Sequence, residues 1–118
     1  MTDEELVREV AEKVMEWDKA GWNGQRYTRW LPRKPPSYEI GAWNPLTDAN
    51  HRDMVVEKMR EKGWVVEINN YIGWNNNRPN AWAVRFKKYQ EPNQPYAANI
   101  NLGHAVVLAA LAAVKKEA

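Results

Sequence analysis

Two runs of alternating residues constrain this chain more than anything else in it. Trp64, Val66, Ile68 and Asn70 share one side of an extended segment, and Val65, Glu67, Asn69 and Tyr71 share the other. After an Asn-rich turn from Gly73 to Asn80, Trp82, Val84 and Phe86 alternate with Ala83, Arg85, Lys87 and Tyr89. A period of two predicts strands over 64–72 and 81–89, joined as an antiparallel hairpin. A sheet with one apolar face is stable only when other elements cover that face.

The flanking sequence supplies helices for the purpose. Thr2 to Ala20 is predicted helical: Thr2 and Glu5 form a capping box, and Leu6, Val10 and Val14 recur on one face with Trp17 closing the stripe. Gly21 is the expected stop. Thr47 is the expected N-cap of a second helix that runs to about Lys62, with Val55 and Met59 facing inward. Asn101 precedes a third, from Leu102 to about Lys116, apolar nearly all round and therefore buried in the fold or against another copy. Asn23-Gly24 predicts a small hairpin, with Trp22 on one arm and Gln25 to Leu31 on the other. Pro32, Pro35 and Pro36 then stop the ladder, which leaves 32–46 irregular. Tyr96 to Ile100 adds a short strand. The expected fold is α+β, a small antiparallel sheet packed by three helices in an α/β/α sandwich-like single domain over residues 1–118.

Composition excludes several classes of function. The chain has no cysteine, so disulfides, thiolate metal sites and cysteine nucleophiles are out. No apolar run reaches the roughly 18 residues of a membrane span, and the acidic start, Thr2-Asp3-Glu4-Glu5, is the wrong charge for a signal peptide. A cytoplasmic protein without a membrane partner is expected. The net charge of +2 is unevenly spread: residues 1–20 carry seven acids and three bases, whereas 21–40 and 64–90 each carry four bases and one acid. Positive charge focused on two Trp-rich regions suits a small anionic ligand and is too little for a reader of duplex DNA.

No phosphate-binding glycine loop and no nucleophile elbow occurs. His51, near Asp48 and Asp53, reads as a solvated helix position. His104 reads as a satisfied histidine near the start of the last helix. No third ligand is spaced to make a metal site with them, and no cofactor is expected. Nothing assembles a general acid–base pair, so no enzymatic activity is expected. What remains is a binding inventory. Trp22, Tyr27, Trp30, Trp43, Tyr71 and Trp74 offer stacking planes; Arg26, Arg29 and Arg78 offer phosphate grips; Asn44 can pair with a base edge. Trp17, Trp64 and Trp82 read as core.

Several segments together resemble the phage ABA-sandwich domain family. They are Val10 to Trp17, the turn Trp43-Asn44-Pro45-Leu46-Thr47-Asp48, Val55 to Trp64, the Trp82-x-Val84-x-Phe86 strand and the Ala-rich final helix. The likeness covers nearly the whole chain. It implies helices sandwiching an antiparallel sheet. It also brings the chain close to the anti-CBASS sponges, phage proteins that sequester cyclic dinucleotide signals such as 3′3′-cGAMP without cleaving them and that assemble as homo-oligomers. On that reading the chain evades immunity in the cytoplasm of an infected bacterial host. Three other readings stay open: a phage accessory protein that binds a host protein, a binder of single-stranded nucleic acid, and an enzyme acting on such nucleotides.

Overall fold

The first helix, α1, spans Asp3–Lys13, and the last, α3, spans Leu102–Glu117; α2, Ala49–Glu61, lies between them. Two antiparallel sheets of three strands complete the computed structural model. The structure describes residues 1–32, 36–71, 81–88 and 96–117, and for Tyr71, Lys116 and Glu117 the backbone alone. One sheet holds β1 (Asp18–Ala20), β2 (Arg29–Leu31) and β3 (Tyr38–Glu39); the other holds β4 (Val65–Tyr71), β5 (Ala81–Lys87) and β6 (Ala97–Asn99). The α+β class expected from the sequence is therefore observed.

The alternating runs pair as their period requires. Val66 faces Phe86 and Ile68 faces Val84 across β4 and β5, while β6 sets Ala97 opposite Val84. Val84 and Phe86 are fully buried, and Val66 and Trp82 pack against the same core. Helix α3 lies on β5 and β6 and also touches α1 and α2. Its Ala105, Val106, Val107 and Ala110 are completely covered. The all-round apolar character of this helix is thus used within one chain, because the second sheet and both other helices pack against it.

Four local expectations need correction. Helix α1 ends near Val14, well short of Ala20. Glu16 turns into the left-handed region at φ 59°, and the Trp17 N–H reaches back to the Ala11 carbonyl. The gain is a buried Trp17 and a strand at Asp18–Ala20, which outweigh a left-handed conformation costing about 1 kcal/mol in a non-glycine residue. The small hairpin exists, but its arms are β1 and β2, with Lys19 opposite Trp30, so Trp22 lies beyond the ladder. The segment after Pro32 is not wholly irregular, since Tyr38 pairs with Trp30 and Glu39 with Arg29. The N-cap of α2 is Asp48, not Thr47: the Asp48 carboxylate accepts from the N–H groups of Asn50 and His51 at 2.8 and 3.1 Å. A carboxylate is the stronger acceptor at the positive end of a helix.

The face of the second sheet turned away from α3 carries a polar cluster. Arg85 Nε donates to Glu67 Oε2 at 2.7 Å, the Tyr96 hydroxyl donates to the same oxygen at 2.8 Å, and Lys87 pairs with Oε1. The Arg85 guanidinium also lies 4.4 Å from the Tyr96 ring centre. Hydrogen bonds from Arg85, Lys87 and Tyr96 hold the Glu67 carboxyl at about 2, below its ordinary value of 4.5. A carboxyl lowered in this way stabilises the fold above its unfolded pKa, and the contribution is lost as pH falls through the folded one. Glu67→Gln is therefore expected to melt below wild type at pH 7, with the gap closing between about pH 4.5 and pH 2. Thermal melts across that range provide the check; a gap that stays constant down to pH 2 would contradict the linkage.

Candidate functional site

The tip of the first hairpin is shaped by its own side chains. Asn23 Oδ1 accepts from the N–H groups of Gln25 and Arg26, each at 3.0 Å, and the Asn23 N–H donates to the Arg26 carbonyl. Thr28 Oγ1 donates to the Gly21 carbonyl at 2.8 Å. Gly21 sits at φ +73°, and a Cβ there would collide with the same Thr28 hydroxyl. This closed turn holds Trp22 and Tyr27 edge to face, with ring centres 5.0 Å apart. They remain 60% and 45% exposed, an unusual state for two large rings in contact.

Beneath the tip lies a cleft of about 540 Å³ between the hairpin and the first turns of α1. That volume falls within the roughly 300–1,000 Å³ of small-molecule sites. Trp22, Arg26 and Tyr27 line it from the hairpin; Asp3, Glu4, Val7 and Arg8 line it from α1; Ile40, Gly41 and Asn44 border it from the loop before α2. Trp30 and Trp43 also line it, yet they are only 1% and 0% exposed, so they form a floor and not free stacking planes. Their indole Nε1 atoms are buried without a hydrogen-bond partner among the described residues.

The cations of the cleft differ in how they are engaged. Lys19 is committed to Glu12 at 2.6 Å and lies over the Trp30 ring. Arg8 and Arg26 are exposed, and neither guanidinium has an ion pair or hydrogen bond among the described residues. Two unpaired guanidinium groups facing one cleft can grip phosphate oxygens without first surrendering a partner.

The floor rests on a cluster of rings. Trp43 meets Trp17 edge to face at 4.7 Å and stacks on His51 at 5.9 Å, and Trp17 stacks on Tyr38 at 5.7 Å. His51 Nδ1 accepts the Asn44 backbone N–H at 2.9 Å, which places the proton of the neutral ring on Nε2. His51 is thus a bracing residue for the Trp43-Asn44 turn, where the sequence suggested only a solvated position. The Asn44 side-chain oxygen accepts from the Leu46 N–H at 2.9 Å, so half of its amide is committed to the turn.

Six of the ten candidate binding residues therefore meet at one cleft: Trp22, Arg26, Tyr27, Trp30, Trp43 and Asn44. Arg29 does not join them. Its guanidinium donates to Ser37 Oγ at 2.8 and 3.0 Å and lies 3.8 Å from Glu39, lining a smaller hollow of about 270 Å³ that shares Arg26, Tyr27 and Ile40 with the cleft. Tyr71 ends β4, with its side chain outside the described residues, and Trp74 and Arg78 lie outside them altogether. The sequence reading missed Glu4 and Arg8. Arg8 is the lone base among the first twelve residues, and a base among acids on a helix reads as an ion pair.

His104 pairs through Nε2 with Asp3 Oδ1 at 3.0 Å, tying the start of α3 to the start of α1 at the edge of the cleft. Among the described residues no group of His, Asp or Glu is placed to hold a metal ion, and no helix is long and apolar enough to cross a membrane. No protein-family model, no curated protein and no solved structure matches the chain.

Proposed function

We propose that this protein binds and sequesters a cyclic dinucleotide, such as 3′3′-cGAMP, in the cleft between α1 and the first hairpin, without cleaving it. The observation that carries the reading is the pair of unpaired guanidinium groups, Arg8 and Arg26, at a cleft that also holds two exposed aromatic rings. A cyclic dinucleotide presents two phosphates and two flat bases. Arg8 and Arg26 would take the phosphates, while Trp22 and Tyr27 would stack on a base above the Trp30 and Trp43 floor. Sequestration needs no proton transfer, so the cleft needs no catalytic pair.

The resemblance to the phage ABA-sandwich family supplies the setting: a phage protein acting as a homo-oligomer in the host cytoplasm against a nucleotide alarm signal. Titration calorimetry against a panel of cyclic dinucleotides tests the binding, and chromatography of the recovered ligand tests whether it is intact. Arg8→Ala and Arg26→Ala are each expected to weaken binding about tenfold to a hundredfold, the worth of one hydrogen bond to a charged group. Both residues are exposed, so the melting temperature of each variant should stay near that of wild type. Absence of binding at micromolar protein, or turnover of the ligand, would sink the proposal.

The exposed Trp22 and Tyr27 rings also suit docking onto a host protein. A stoichiometric partner retained from host lysate by wild type and lost with Trp22→Ala, in protein that binds no nucleotide, would favour that second reading.

A further inference from the structure

A cleft built for an anion contains an acid that needs explaining. Glu4 lines the cleft one helical turn before Arg8, and the two do not pair. The Glu4 carboxylate is exposed, with no hydrogen bond or ion pair among the described residues. Its neighbour Asp3 is engaged by His104, which leaves Glu4 as the cleft's uncommitted acceptor from α1. The helix N-terminus favours an acid at this position, but a bare carboxylate repels a phosphate, so beside this cleft it suits a ligand that brings donors to meet it.

We propose that the cleft selects guanine over adenine, with Glu4 accepting from the guanine Watson–Crick edge while Arg8 holds the adjoining phosphate. This rests on the nucleotide reading above and adds the identity of the base. Guanine presents N1–H and the N2 amino group side by side, two donors that match the two oxygens of one carboxylate. Adenine presents one amino group beside the N1 lone pair, and that lone pair would face a carboxylate oxygen with nothing between them. Cytosine has the same donor–acceptor mismatch, and uracil offers a single donor flanked by carbonyls. A site that hydrogen-bonds a donor pair discriminates strongly against a base lacking one, because a desolvated acceptor is left unpaired.

The experiment compares cyclic di-guanosine, cyclic di-adenosine and cyclic guanosine–adenosine monophosphates by calorimetry on wild type, Glu4→Gln and Asp3→Asn. Wild type is expected to bind cyclic di-guanosine at least about tenfold tighter than cyclic di-adenosine, with the mixed ligand between them. A glutamine amide offers one acceptor and one donor, which matches adenine, so Glu4→Gln should shrink or reverse that ratio while still binding. Asp3→Asn should keep the wild-type order. A reversed preference cannot come from simple loss of structure, which would weaken every ligand together. Equal wild-type affinities would overturn the selectivity and leave the nucleotide reading standing. A guanine preference unchanged in Glu4→Gln would overturn the role of Glu4. No binding of any ligand by any variant would overturn both.

Discussion

Trp43→Ala is expected to cost about 3–5 kcal/mol of folding stability, the usual range for emptying a buried tryptophan site. Trp43 has no exposed surface and is held from two sides, by Trp17 and by His51. Removing it leaves a void that these rings cannot close, because His51 is fixed by the Asn44 N–H and Trp17 is stacked on Tyr38. The loss is a large share of the roughly 5–15 kcal/mol that holds a domain of this size together. Urea unfolding followed by fluorescence measures it. Trp43→Phe, which keeps a ring, should lose clearly less than Trp43→Ala. Equal losses would show that the site collapses freely and that the ring cluster is not a rigid support.

Gly103→Ala is expected to be nearly as harmful, at about 3 kcal/mol, the upper end of the range for overpacking. Gly103 lies in the first turn of α3, where alanine would ordinarily stabilise a helix. Here a Cβ would collide with the Leu46 carbonyl oxygen, and it would come within 2.7 Å of the Leu46 carbonyl carbon and the Pro45 oxygen. All three are backbone atoms, so no rotamer change relieves the contact. The displaced segment is the Asn44–Asp48 turn, which carries Trp43 at one end and caps α2 at the other. Gly63→Ala gives a contrast: its φ of +92° strains any side chain, but a Cβ there meets nothing. A Gly103→Ala protein as stable as wild type would mean that the turn can move freely.

The parts of the fold written in periodicity were legible. The β4–β5 pairing, the apolar face of α1 through Leu6, Val10 and Val14, and the inward residues Val55 and Met59 of α2 all follow from spacing alone. What spacing could not give was decided by contacts distant in sequence. Trp17 continues a helical stripe, yet it leaves the helix to meet Tyr38 and Trp43. Tyr38 and Glu39 form a strand only because β2 is already in place to pair with them. The aromatic and basic excess of residues 22–44 falls where the structure forms the cleft. It could not separate Trp22, which is exposed, from Trp30 and Trp43, which are buried. Arg8 and Glu4 were invisible for a related reason: their significance lies in not pairing, and a sequence shows only that they are near enough to pair.

Every residue lining the larger cleft lies between Asp3 and Asn44. Glu4, Arg8, Trp22 and Arg26 are exposed side chains on that stretch, whereas among the described residues the second sheet and the two later helices contribute no lining. The cleft's exposed side chains thus stand apart from its buried floor, Trp30 and Trp43, which belong to the core. Exchanging those four side chains would alter the charge and shape of the cleft while removing little buried contact, so the lining can change without eroding the scaffold.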